Sequence, residues 1–157
     1  MIDLGIILRD TFWSGIAALG FAMLFNVPRR TLVGCVITGA LGHALRTLLM
    51  MSIGASIEGG TLVGAICIGF LSYRFGRRWH TPAIIFAVCG VIPMIPGRFA
   101  YGTMIGLIQL AEQGSTAPPA VLLDTTVNAV KTAMILGALA VGIAAPSLLF
   151  QRNKLRL

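Results

Sequence analysis

Five long runs of apolar residues, separated by short polar segments, dominate this chain. A helix needs about 20 consecutive apolar residues to cross the ~30 Å hydrocarbon core of a bilayer. Backbone polar groups in lipid must be satisfied within the segment, as in a helix, and the period-2 alternation of a barrel strand is absent. The sequence therefore predicts an all-α membrane protein, a polytopic bundle of about five transmembrane helices in a single transmembrane domain over residues 1–157. The runs lie at 11–27, 31–57, 60–75, 81–111 and 119–150, and the fourth is broken at residues 93–97.

The composition indicates lipid rather than water as the main solvent. Of the 157 residues, 57% are hydrophobic and 11% are charged, whereas soluble domains carry about 25% charged residues. The net charge is +7, but the cations form short clusters between apolar runs instead of one basic face, so no nucleic-acid partner is expected. Cys35, Cys67 and Cys89 each lie inside an apolar run, which indicates packing roles rather than a disulfide framework or a metal site.

The distribution of loop cations predicts an orientation. Eight of the twelve Lys and Arg residues fall in alternate loops on one face, and only Arg9 falls in a loop on the other. The positive-inside rule then places the N-terminus outside and the C-terminus in the cytoplasm. This alternation needs an odd number of crossings, which favours five spans over four. The eight residues are Arg29, Arg30, Arg74, Arg77, Arg78, Arg152, Lys154 and Arg156.

Three cations, Arg46, Arg98 and Lys131, lie inside the apolar runs, and Asp124 is the lone acid assigned to one. A charge at the centre of a membrane helix costs roughly 2.5–3.5 kcal/mol on insertion scales. Such residues line a wet cavity, pair with a partner, or snorkel to the interface. We treat the three cations as candidate substrate-binding residues and Asp124 as a candidate for proton coupling.

Two helical faces carry further polar residues. His43 and Arg46 lie three residues apart and so share a face, and a titratable imidazole beside a fixed cation suits a proton-coupled anion site. His43 is therefore a candidate for both substrate binding and proton coupling, and the alternative is a hydrogen bond to a neighbouring helix. Asp124, Asn128 and Lys131 share another face, which predicts a polar stripe toward the bundle interior. Asp124 could instead be solvated or pair with Lys131.

The break in the fourth run contains Pro93, Pro96 and Gly97. Proline lacks an N–H group and glycine tolerates unusual backbone angles. The halves at 83–92 and 99–111 are each too short to span alone, so a discontinuous helix is predicted. Its second half would begin near mid-membrane with free N–H groups and a positive dipole end, beside Arg98. Secondary transporters bind anions at such helix ends, and the alternative is a proline kink without function.

Other patterns predict packing rather than chemistry. Small residues recur at four-residue spacing, which lets membrane helices approach closely. No zinc-protease, nucleophile-elbow or phosphate-loop motif occurs, so neither an enzyme nor a cofactor is expected. The small residues are Gly34, Thr38 and Gly42, then Ala65 and Gly69, then Ala138 and Gly142.

Four stretches of the chain occur in an order that matches a known family. They are 20–28; 39–43 with Arg46; 91–97 with Ala100 and Tyr101; and Asn128 followed by 137–139 and Pro146. Together they resemble the threonine/serine exporter (ThrE) family, and within it the YjjB-like small subunit of its split members. The resemblance covers nearly the whole chain. Its pattern contains Asn26, His43, Arg46, Pro93, Pro96, Gly97 and Asn128, but not Arg98, Asp124 or Lys131.

This resemblance implies a function and a partner. It implies export of threonine and serine, or of small dicarboxylates such as succinate, across the bacterial inner membrane, together with a larger membrane subunit. The architecture also favours a partner, since many transporters consist of two repeated halves and these 157 residues contain no second copy. A small anionic or zwitterionic substrate and the lipid bilayer complete the expected partners. Two alternatives stay open, a passive anion channel and a membrane scaffold subunit that transports nothing.

Overall fold

The computed structural model describes the backbone of residues 3–150 and the side chains of residues 3–149, and this part of the chain is all helical. Short 3-10 turns at Arg29–Thr31, Ile92–Met94 and Gly114–Thr116 connect or extend the α-helices. The predicted cytoplasmic cations Arg152, Lys154 and Arg156 lie outside the described residues. The six α-helices are α1 (Leu4–Leu24), α2 (Leu32–Ser52), α3 (Ile57–Trp79), α4 (Ala83–Val91), α5 (Gly97–Gln113) and α6 (Pro119–Phe150).

The helices follow the apolar runs, and the all-helical membrane fold with a broken fourth run is confirmed. Within the described residues, α1, α2 and α6 are long and apolar enough to cross a bilayer, and α4 and α5 qualify together as one bent span. Helix α3 has 23 residues but does not qualify, because Glu58 and its arginines lower its hydropathy. The loop predicted for Arg74, Arg77 and Arg78 was wrong, because α3 continues through these residues to Trp79. Three or four spans therefore follow from length and composition, and α3 as a fifth stays a prediction.

Helix α1 begins earlier than the apolar run predicts. The Asp3 side chain caps it by accepting a hydrogen bond of 2.9 Å from the N–H of Gly5, as N-cap aspartates do. The helix then continues through Arg9 and Asp10, which the sequence analysis had assigned to a loop. That assignment was wrong, because Ile6, Ile7 and Leu8 extend the apolar run on the other side of these two charges.

The described chain divides into two compact units. The first contains the residues up to Met94 together with those from Ala138 onward, and the second is Ile95–Gly137. In the first unit α2 packs against α1, α3 and α4. Its aromatic core stacks Trp79 on Phe86, with ring centroids 5.6 Å apart, and Phe75 contacts both rings. Cys35 and Cys89 are free thiols buried in this core, in agreement with their predicted packing roles.

Small residues bring the helices of the first unit into backbone contact. A methyl group on Gly64 would lie 2.7 Å from the carbonyl oxygen of Gly42, and one on Gly69 would lie 2.8 Å from that of Gly142. Real side chains do not tolerate such distances. The packing role predicted for Gly42, Gly69 and Gly142 is therefore confirmed. Together with Gly64, which the prediction did not include, they fix α2 against α3 and α3 against the second half of α6.

The second unit consists of α5 and the first part of α6, which also meet at glycines. The side-chain amide of Asn128 lies 2.8 Å from the position that a methyl group on Gly102 would occupy. One turn further along α5, Gly106 is in equally close contact with the buried Thr125. The polar face of α6 at Thr125 and Asn128 is therefore turned toward α5.

We expect Gly142→Ala to destabilise the protein by about 1–3 kcal/mol, the usual penalty of overpacking. The added methyl would meet the Cβ of Ala65 at 2.5 Å and the backbone N of Ile66 at 2.9 Å. Gly137→Ala, in the same helix, is the matched control because nothing lies within 4 Å of that position. It should be neutral or stabilise by up to about 1 kcal/mol. Thermal unfolding of the purified variants in detergent measures both, and equal shifts would contradict the packing argument.

Labelling of single cysteines tests whether α3 crosses the membrane. A cysteine at position 76 would not fit, because a Cβ on Gly76 would lie 2.9 Å from the Thr81 carbonyl oxygen. Ile53, just before α3, and Arg78, in its last turn, are both exposed. In a chain with Cys35, Cys67 and Cys89 replaced by Ala, a membrane-impermeant maleimide added to intact cells should label Ile53→Cys and spare Arg78→Cys until the cells are permeabilised. Labelling of both positions from the same side would refute a spanning α3.

Candidate functional site

Arg46 on α2 is directed toward the end of the helix that breaks at residues 93–97. Its Nη1 donates a hydrogen bond of 3.4 Å to the carbonyl oxygen of Met94. An α-helical carbonyl normally accepts from the N–H four residues later, but the helical ladder stops here, and Met94 is the last residue of its 3-10 turn. The guanidinium group therefore provides a donor to a buried backbone group at the break.

Two glycines of α3 make room for the stem of Arg46. A methyl group on Gly64 would lie 3.4 Å from the Cβ of Arg46, and one on Gly60 would lie 3.4 Å from its Cγ. Larger residues at either position would crowd the arginine. The close packing of α2 on α3 thus holds a half-buried charged side chain in one direction.

An acid of α1 completes the cluster. The hydroxyl of Thr47 donates a hydrogen bond of 3.1 Å to Oδ2 of Asp10, and Asp10 interacts electrostatically with both Arg46 and His43. Asp10 is half-buried and Thr47 is buried. We call Asp10, His43, Arg46, Thr47 and the Met94 carbonyl the Arg46 cluster, and all of it lies within the first unit.

His43 is the member of the cluster with unused hydrogen-bonding capacity. Its Nδ1 is buried and has no hydrogen-bond partner within the described part of the chain. The sequence alternative, a histidine bonded through this atom to a neighbouring helix, is therefore not observed. An imidazole nitrogen can donate or accept according to its tautomer and protonation state, so His43 is able to bind a ligand or carry a proton beside Arg46.

The break itself has a defined local geometry. Pro93 lies in the 3-10 turn Ile92–Met94, and the N–H of Gly97 donates to the carbonyl oxygen of Ile95 over 2.8 Å. Pro96, between them, has φ −79° and ψ 57°, which is the conformation of an inverse γ-turn. Helix α5 then starts at Gly97 without a side-chain cap, so its first N–H groups have no partner within the helix.

The second unit carries the remaining predicted residues. The ammonium group of Lys131 lies 5.2 Å from the ring centroid of Phe99, a cation–π distance. Asn128 is half-buried against α5, whereas Arg98 and Asp124 are exposed. No ion pair joins Asp124 to Lys131 in this unit, all of which the structure describes.

A comparison with known protein families assigns the chain to one of them. The model of the family described as Threonine/Serine exporter, ThrE matches residues 10–149. The chain belongs to this family. It is accordingly a multi-pass membrane protein of an exporter family, and the matched range contains the Arg46 cluster, the break and the polar face of α6. No solved structure matches the chain.

One residue of the exporter pattern has a backbone role. Asn26 follows the end of α1 and has φ 53°, in the left-handed region, and its N–H donates to the carbonyl oxygen of Met23 over 3.0 Å. Asparagine is one of the few residues that adopt this conformation readily at the end of a helix. Its place in the family resemblance is therefore explained by the turn toward α2.

Three members of the Arg46 cluster are not predicted from the sequence: Asp10, Thr47 and the Met94 carbonyl. The count of embedded charges in this exporter changes accordingly, since Asp124 is not the only acid within a helix that can span. The apolar residues before Asp10 were the available signal, because they make the first run long enough to contain it. A backbone carbonyl and a threonine leave no comparable signal in a sequence.

Proposed function

We propose that this chain is one subunit of a secondary exporter of small organic anions or amino acids in the bacterial inner membrane. The substrates we propose are threonine and serine, or a C4-dicarboxylate such as succinate, and each carries at least one carboxylate. Residues 1–157 would form one transmembrane domain, half of a two-component transporter. The N-terminus would lie outside and the C-terminus in the cytoplasm, as the loop cations predict. We assign the chain no catalytic residues and no cofactor.

One observation carries this proposal: Arg46 reaches the carbonyl at the helix break, and Nδ1 of His43 beside it has no hydrogen-bond partner among the described residues. A guanidinium has five N–H donors, of which a carbonyl uses one, so the others can bind a substrate carboxylate. An arginine retained inside a membrane protein at an insertion cost of roughly 2.5–3.5 kcal/mol is a functional residue by default. We infer that Arg46 is the principal anion-binding residue.

The other predicted residues receive narrower roles. In the first unit we propose that His43 binds substrate and carries the coupling proton, and that Pro93 keeps the break open. In the second unit we propose that Pro96 and Gly97 shape the uncapped start of α5, whose free N–H groups after Gly97 attract the substrate anion, as helix N-termini do. Three further side chains of that unit are proposed to bind substrate, and Asp124 is the second candidate for proton coupling. The three are Arg98, Asn128 and Lys131.

A larger subunit of the same family is the proposed partner. A transporter built from inverted repeats needs two related halves, and this chain supplies one set of helices with one broken member. An antiparallel copy of the same chain is disfavoured, because inversion would place its arginine-rich loops outside. Many large apolar side chains on α1, α5 and α6 are exposed in the isolated chain, which leaves surface for lipid and for a second subunit.

Two other functions give different results in transport assays. A passive anion channel would conduct substrate whether or not a proton gradient is present. A scaffold without a substrate would tolerate replacement of Arg46 or His43 with no change in transport. Efflux measured with and without a protonophore tests for the channel. Efflux measured with the Arg46 and His43 variants tests for the scaffold.

We expect Arg46→Gln to reduce export about ten- to a hundredfold, since a hydrogen bond to a charged group contributes about 1.5–3 kcal/mol. The measurement is efflux of preloaded radiolabelled substrate from cells that also express the partner. Arg9→Gln is the matched control, because Arg9 is exposed on α1 and lies outside the cluster. Immunoblots of the membrane fraction should give equal amounts of both variants. Full export by Arg46→Gln at normal abundance would contradict the proposed role.

We also expect export only when both subunits are present. A strain lacking both genes is supplied with this chain alone, with the larger subunit alone, or with the pair, and efflux of threonine, serine and succinate is measured. Gradient-dependent efflux should require the pair, because each chain contributes one half of the transporter. Robust gradient-dependent efflux with this chain alone would refute the two-component proposal.

A further inference from the structure

A cavity of about 520 Å³ lies between α3, the start of α4 and the last part of α6, on the arginine-rich end of the first unit. Ala87, Ile143 and Pro146 contribute to its largely apolar wall. The Arg46 cluster does not border it, and nothing in the proposed export cycle uses it. Any molecule that binds in it would therefore have a role separate from the Arg46 cluster.

One polar group in the wall of this cavity is unpartnered among the described residues. Ser72 lines the cavity, is 1% exposed, and its Oγ has no hydrogen-bond partner within the described residues. Serine in a membrane helix ordinarily donates to a carbonyl of the preceding turn, as Thr61 does to Ile57 and Thr38 does to Gly34. A buried hydroxyl without a partner costs about 1–3 kcal/mol, so a bound group that accepts from Ser72 would stabilise the site.

The cavity adjoins a basic recess at the arginine-rich end of α3. Tyr73 and Ala83 line both spaces, and the recess is also lined by Arg77, His80 and Thr81. Arg77 folds back along α3, with Nη1 3.5 Å from the hydroxyl of Tyr73 and its guanidinium carbon 5.8 Å from the ring centroid. The tyrosine thus holds a cation at the rim of an apolar cavity.

The spacing of these groups matches one class of molecule. Arg77 and Ser72 are five residues apart on α3, or about 7.5 Å along a helix axis, with Ser72 on the deeper side. A phospholipid presents its groups in the same order: a phosphate at the interface, an ester carbonyl below it, and then an acyl chain. A short polar metabolite would leave the apolar part of the cavity unfilled.

We propose that this cavity binds one anionic phospholipid. The phosphate would lie against Arg77 and His80, an ester carbonyl would accept the hydrogen bond of Ser72, and one acyl chain would fill the space between α3 and α6. Basic pockets between membrane helices are known to bind anionic headgroups. The proposal does not depend on the substrate of the exporter, because no residue of the Arg46 cluster takes part.

Native mass spectrometry of the purified chain tests the proposal, with phosphatidylglycerol and phosphatidylcholine of identical acyl chains as the probes. We expect at least about tenfold tighter binding of phosphatidylglycerol, because the choline cation of phosphatidylcholine offsets the attraction of its phosphate to Arg77. Equal binding of the two lipids would overturn the proposal. Competition by millimolar inorganic phosphate distinguishes a headgroup site from a simple anion site, and complete displacement of the lipid by phosphate would also overturn it.

Matched variants locate the lipid in the cavity. Arg77→Gln should remove the preference for phosphatidylglycerol, whereas Arg78→Gln, exposed and lining neither space, should retain it. Ala144→Leu, which narrows the cavity, should weaken both lipids, and Ala133→Leu on the exposed side of α6 should weaken neither. Ser72→Ala should weaken both lipids about threefold, within the range of a neutral hydrogen bond. Equal losses in Arg77→Gln and Arg78→Gln, at unchanged melting temperatures, would assign the binding to general surface charge and refute the site.

Discussion

A backbone carbonyl that loses its helical donor inside a membrane has to find another donor, and the Met94 carbonyl is in this position. The prolines at 93 and 96 remove two N–H groups from the ladder, and the chain resumes as a helix only at Gly97. Arg46 supplies a donor from another helix. The arginine in turn needs space, which Gly60 and Gly64 provide, and a nearby acid, which is Asp10. The break, the arginine, the two glycines and the acid therefore depend on one another.

The small residues of the first unit help to keep Arg46 directed toward the helix break. Backbone contact between Gly42 and Gly64 places α3 directly behind the arginine, so the stem of Arg46 cannot turn toward α3 and leave the break. Without a hydrophobic driving force between helices in lipid, such close packing is the main source of association. The glycine rows, to which the sequence analysis assigned only packing, therefore also determine the direction of the charged side chain.

The helices and the break in the fourth run could be predicted from the sequence, whereas the polar contacts between helices could not. Runs of apolar residues located all five segments, and the Pro93–Gly97 run located the break, because both signals depend on residue type alone. Asp10 was wrongly predicted to lie in a loop, because a single acid at the edge of an apolar run is compatible with both a loop and a helix. The Thr47 to Asp10 bond joins residues 37 positions apart, and no periodicity within one helix predicts which neighbour it faces. The cavity beside Ser72 arises from three helices, so it has no signature in any one of them.

The position of Asp10 on α1 has a consequence for biogenesis. Helices enter the bilayer in the order of synthesis, so α1 and its carboxylate are already in place when α2 brings His43 and Arg46. The hydrogen bond between Thr47 and Asp10 can then form as α2 emerges, and the acid reduces the penalty of transferring the arginine into lipid. The first two helices are thus suited to leave the insertion machinery as a pair, with the side chains of Asp10, His43, Arg46 and Thr47 already together before the broken helix supplies the Met94 carbonyl.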